Sequence, residues 1–214
     1  MIIFIPTYDS ATKSNLEVVR PILPKTYIAL LEKEATRIHL WHSLNKENVL
    51  FAMSHGNSDA LWDNNDEKAL KIEDAAAFDN KKAFVFACFT ANSLGFALKK
   101  QHSIYWGYTG RVAAPSSQPI VKALFSTIFE YILNHFSDCV DEFNINTMLE
   151  TIKRLCDKAE YQLDEIIEAG EFVEDDLECY CCLQHIWNRL KVHHFDWNEP
   201  LKHIEARDGD LFEC

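Results

Sequence analysis

Two short stretches carry residue types that could perform nucleophilic catalysis. Ser54-His55-Gly56 follows the apolar run Asn48-Val-Leu-Phe-Ala-Met53, and Cys88 follows Ala83-Phe-Val-Phe-Ala87, 33 residues after the histidine. An imidazole beside a thiol stabilises the thiolate or takes its proton, then protonates a leaving amine. Gly56 lets a backbone amide approach a substrate with no side chain in the way. The Gly56 and Cys88 amides are the candidate oxyanion donors. Taken singly, each residue has a plainer explanation: a cysteine closing a strand is core filler, and a histidine after a strand is a hydrogen-bonded loop residue.

The pair does chemistry only if both runs are neighbouring strands of one open parallel sheet, whose carboxyl edge gathers reactive groups. The first half supports such a sheet. Ile2 to Pro6, Asn48 to Met53, Ala83 to Ala87 and Ser103 to Gly107 are apolar throughout and separated by helical patterns, as strands covered on both faces are. Tyr27 to Leu44 reads as a helix with Ile28, Leu31, Ala35 and Ile38 on one face. Ala60-Leu-Trp and Ala69-Leu-Lys-Ile flank the polar Asp63-Asn-Asn-Asp66, a hairpin signal. Asn92 to Lys100 reads as a helix. In the second half Val121 to Phe136, Thr147 to Ala169 and Cys179 to His194 read as helices, and no strand is expected. Met148, Ile152, Leu155, Ala159, Leu163 and Ile166 form one buried stripe. The fold class is therefore α/β, with a mostly parallel sheet flanked by helices and a C-terminal helical extension.

Strand–Ser54-His55-Gly56, strand–Ala87-Cys88 and then Gly107-Tyr108-Thr109-Gly110 after the next strand resemble the caspase-like (clan CD) cysteine peptidases, most closely their CHAT-type branch. The resemblance covers residues 1–165 and includes Ala35-Thr36-Arg37 before the histidine strand. It implies a His55–Cys88 dyad without an obligatory third residue, in a caspase-like catalytic core over residues 1–137, with an acidic helical extension over 138–214 packed on it. It implies a cysteine endopeptidase that cuts a protein target in a regulated way, such as in a bacterial antiviral defence pathway, and it leaves room for an activating protein partner. Phe86-Ala-Cys-Phe-Thr90 departs from the caspase sequence at the cysteine, and no later strands match those of caspases proper. In relatives that cleave after arginine or lysine, an acid at the end of the first strand lines the first pocket. Asp9 is the matching residue, with Asp59 a second acid near the site and Tyr108 and Thr109 lining it. Arg111 is an alternative reader, of an acidic residue. Asp9 has a structural alternative as the cap of a following turn or helix. The competing function is a catalytically inactive caspase-like module that binds a partner through its acidic helices.

Composition narrows the rest. With 214 residues, 48% hydrophobic and 25% charged, the chain is neither disordered nor a disulfide knot. A net charge of −12 opposes direct binding to nucleic acid or to an anionic membrane surface. Asp138 to Glu178 holds fourteen acids and three bases, a net of −11, which leaves −1 for everything else. No glycine-rich phosphate loop and no cofactor motif is present. Cys179, Cys181, Cys182, His185, His193 and His194 lack the paired spacing of a zinc site, so no metal is expected. Without an export leader or an apolar stretch of 18 residues, the expected location is a reducing cytoplasm, with the seven cysteines as thiols.

Overall fold

The structure is a computed structural model that describes residues 1–207. Its strands are β1 (Ile2–Ile5), β2 (Ile28–Leu31), β3 (Val49–Met53), β4 (Ala60–Trp62), β5 (Lys68–Lys71), β6 (Lys82–Phe86), β7 (Ile104–Tyr108) and β8 (Leu190–His194). Its helices are α1 (Ser10–Val19), α2 (Arg37–Leu44), α3 (Ser93–Leu98), α4 (Pro119–His135), α5 (Glu142–Glu168) and α6 (Asp176–Asn188). Six strands form one sheet in the order β2-β1-β3-β6-β7-β8. The first five run parallel, and β8 joins β7 antiparallel. β4 and β5 make the expected hairpin beside the sheet. The mixed α/β class, with a mostly parallel sheet and C-terminal helices, is as the patterning predicts.

Alternation along each strand divides the core between two faces. Ile3, Ile5, Phe51, Met53, Phe84 and Trp106 pack with α1, α4, α5 and α6. Ile2, Phe4, Leu50, Ala52, Ala83 and Val85 pack with α2, α3 and the hairpin. Both faces are covered, which is why these strands are apolar at every position. α5 starts earlier than expected, because Asp141 accepts from Asn144 N at 2.8 Å and caps it.

Three expectations need correction. Tyr27 to Leu44 is not one helix: Ile28–Leu31 pairs with β1, and the helix starts only at Arg37, capped by Thr36. Ile38, read as sharing a helix face with Ile28, Leu31 and Ala35, is 79% exposed. The helix expected over Cys179 to His194 stops at Asn188, and Leu190–His194 becomes β8. The second half thus supplies a strand, so residues 138–214 are not merely packed on a finished core. β8 completes the sheet, and its outer edge is closed by paired bonds between Val192 and Leu201.

Cys88, Cys139, Cys156, Cys179 and Cys182 are free thiols. Cys181 departs from the expectation, being disulfide-bonded. Cys214 lies outside the described residues. Among the described residues, no helix is long and apolar enough to cross a membrane.

Candidate active site

β3 and β6 are parallel neighbours, with Met53 opposite Phe86. His55 and Cys88 each lie two residues past that pair, on the same carboxyl edge of strands separated by ~4.8 Å. Ser54 N donates to Phe86 O at 3.2 Å, and the Gly56 and Cys88 amides lie beyond this rung. The two turns also touch. A Cβ added to Gly56 would sit 2.6 Å from Thr90 Cγ2, 2.9 Å from Ala87 Cβ and 3.1 Å from Cys88 O. Only glycine permits that approach.

The cysteine turn is stitched to the segment leaving β7. Phe89 N donates to Gly110 O at 3.0 Å and Ala91 N to Tyr108 O at 2.9 Å. Thr90 Oγ1 donates to Ala87 O at 3.1 Å. Phe89 is held at φ 60°, a left-handed conformation that costs a large side chain about 1 kcal/mol or more. The strain sits directly after Cys88. Cys88 Sγ accepts from Val112 N at 3.3 Å and donates to Val112 O at 3.7 Å. It is paired there and not with His55.

His55 is braced from both sides. Trp62 N donates to His55 O at 3.1 Å, and Ser54 Oγ donates to Trp62 O at 2.8 Å, so β4 fixes the histidine backbone. The imidazole Nε2 lies 2.6 Å from Asp9 Oδ2. Burial would raise the Asp9 carboxyl, but bonds from Thr12 N, the Thr12 hydroxyl and His55 outweigh it and hold it below the ordinary range. An ionised carboxylate only accepts, so Nε2 is the donor in this bond. Tyr8 lies against the ring at 5.6 Å between centroids, and burial pushes its own hydroxyl up to about 12.

Asp9 therefore does not stand open as the wall of a first pocket. Oδ1 accepts from Thr12 N at 2.9 Å and from Thr12 Oγ1 at 2.7 Å, and the second oxygen serves His55. The residue is the N-cap of α1 and the orienter of the histidine at once. Tyr108 likewise leaves the expected lining. It is 0% exposed, its ring packs edge-on against Phe84 and Phe86, and its hydroxyl has no partner among the described residues. Strand alternation turns it toward α4 and α5. Thr109 is half-buried, with its N–H on Arg189 O at 3.0 Å. Asp59 is exposed in the turn before β4, where its N–H takes Asn57 Oδ1 and its carbonyl takes Ile72 N.

Sequence reasoning overlooked several supports. Asn64 Oδ1 accepts from Thr7 N at 3.0 Å, tying the hairpin tip to the Asp9 loop. Asp63, 1% exposed, accepts from Asn65 N, Glu67 N and Arg37 N. Arg37 in turn grips Asp74 with two bonds of 2.8 Å. The cluster Asp63-Asn-Asn-Asp66 was a visible signal. Arg189, which donates to Arg111 O behind the cysteine turn, had none. The cysteines and histidines of α6 and β8 do not assemble a ligand set: among the described residues, no group of three or more His, Cys, Asp or Glu could hold a metal.

Comparisons with protein-family models, with curated proteins and with solved structures find no match for this chain.

Proposed function

We propose that the chain is a cysteine endopeptidase of caspase-like design, acting on a protein substrate. The observation that carries this reading is the register that sets His55 beside Cys88 at adjacent strand ends, with Asp9 fixing the histidine tautomer. In the reaction, His55 Nδ1 takes the Cys88 proton and the thiolate attacks the scissile carbonyl carbon. A C–S bond forms, and the oxygen takes the negative charge beside the Gly56 and Cys88 amides. The imidazolium then gives its proton to the leaving amine as the C–N bond breaks. Water, deprotonated by His55, cleaves the thioester and restores the thiol. A cytoplasmic location fits the five free thiols, while the disulfide at Cys181 runs against it.

One observation favours a second reading. Cys88 Sγ is bonded to Val112 and not to His55, which suits a catalytically inactive interaction module. Reaction with iodoacetamide at neutral pH separates the two. All four other free thiols are buried, so the rate at Cys88 is the readout: on the peptidase reading His55→Ala and Asp9→Asn both slow it. Equal rates in wild type and in His55→Ala, together with no loss of substrate processing in Cys88→Ala, would sink it.

A further inference from the structure

A groove of ≈ 970 Å³ opens beside the candidate nucleophile. One wall is the segment Arg111–Ala114 that leaves β7, and the other is the strap 171–178 between α5 and α6. Val112, whose N–H donates to Cys88 Sγ, is one of its lining residues, so one residue separates the groove from the thiol. The strap is held in place by Gln118, whose Nε2 donates to Phe172 O at 3.0 Å and whose Oε1 accepts from Glu174 N at 3.0 Å. The wall is thus built before any ligand arrives.

The lining has two characters. Ile167, Val173, Ala113 and Val112 make an apolar floor, and Phe172 and Leu177, 78% and 68% exposed, stand at its rim. Apolar side chains this large on a strap already pinned from behind are unusual without something to cover them. Glu171, Glu174, Asp175, Asp176 and Glu178 add five carboxylates against the single guanidinium of Arg111. Nucleic acid would be repelled, and a second copy of a chain with net charge −12 is a poor match. An extended basic segment with apolar residues between its basic ones satisfies both characters at once.

We propose that this groove docks a basic, apolar-punctuated segment of the protein substrate, next to the bond that Cys88 attacks. The inference rests on the peptidase reading and moves basic recognition from Asp9 to the strap. Its test is binding, which does not depend on turnover. A fluorescein-labelled peptide of alternating arginine and leucine is titrated into the Cys88→Ala protein and followed by anisotropy. The triple variant Glu171→Gln/Glu174→Gln/Glu178→Gln is expected to bind roughly tenfold more weakly. Phe172→Ala, with its side chain already in solvent, is expected to weaken binding while leaving the melting temperature unchanged. A control, Glu130→Gln/Glu142→Gln/Glu165→Gln, removes the same charge from exposed positions on α4 and α5 outside the groove and is expected to bind like the parent. Equal losses in both triple variants would reduce the effect to net charge and overturn the proposal, as would binding of a glutamate–leucine peptide with matching affinity. If the peptide docks but Cys88 is not selectively alkylated, the groove stands and the peptidase reading falls. Selective alkylation without docking gives the reverse.

Discussion

At the scale of single residues, Asp9 has two tasks that a substitution can separate. Asn is as good an N-cap as Asp, so Asp9→Asn should preserve α1 while giving His55 a neutral partner. The expected result is a fall in kcat of roughly tenfold to a hundredfold, as a misplaced catalytic group produces, with a shift in melting temperature too small to explain it. Asp9→Ala should add a loss of about 1 kcal/mol from the missing cap, measured by urea unfolding. Acidification acts on the same residue. Because its folded carboxyl lies below the ordinary range, the cap and the histidine anchor are complete above the unfolded value and are lost as pH falls through the folded one. Tyr108→Phe makes the opposite kind of prediction. A buried hydroxyl without a partner costs desolvation, so its removal should leave stability unchanged or raise it by up to ~1 kcal/mol, with no change in KM. A large rise in KM would return Tyr108 to the substrate pocket. The placement of His55 and Cys88 at neighbouring strand ends was legible because each residue follows an apolar run. The role of Asp9 was only half legible: Thr12 three residues later announced the cap, but nothing local announced a histidine 46 residues away.

At the scale of elements, misreadings fall where tertiary pairing decides the outcome. Ile28-Ala-Leu-Leu31 is equally compatible with a buried helix turn and a short strand; pairing with β1 selects the strand. Lys191-Val-His-His194 has weak alternation, and only the open edge of β7 makes it extended. The helices that were read correctly, α4 and α5, have stripes long enough to stand without such help. β8 also brings a titratable group into the core. His193 Nε2 lies 2.5 Å from Ala91 O, and burial lowers its pKa from 6.5 to about 4. Between those values the unfolded chain takes up a proton that the folded chain refuses, so stability falls as pH drops from 6.5 towards 4, by on the order of 3 kcal/mol for the full shift. Melting curves over that range should have a shallower slope in His193→Gln. The slope should not vanish, because burial lowers His194 too. An unchanged slope would remove His193 as the cause. Gly56→Ala tests the contact between the histidine and cysteine turns. Its methyl meets Thr90 and Ala87 below 3.0 Å, so a loss of about 1–3 kcal/mol and a slower reaction at Cys88 are expected together.

At the scale of the whole molecule, the boundary near residue 137 divides charge but not structure. The acidic net of −11 between Asp138 and Glu178 covers α5 and the strap after it, yet the same chain returns to finish the sheet. Truncation after residue 137 would bare the edge of β7 and the apolar faces of α4, so residues 1–137 alone are expected to aggregate, read by light scattering. A soluble, folded fragment would show that the first segment holds its own core. The connection also reaches the cysteine turn: Arg189 holds both Thr109 and Arg111, and the segment 108–112 holds Phe89, Ala91 and Cys88. This chain of contacts sets an order in time. Cys88 leaves the ribosome 101 residues before Arg189, and at ordinary elongation rates that interval lasts roughly 5–20 s. During those seconds the nascent chain carries His55 and Cys88 but not Arg189, which holds Thr109 and Arg111. The support of the cysteine turn is therefore completed only late in synthesis.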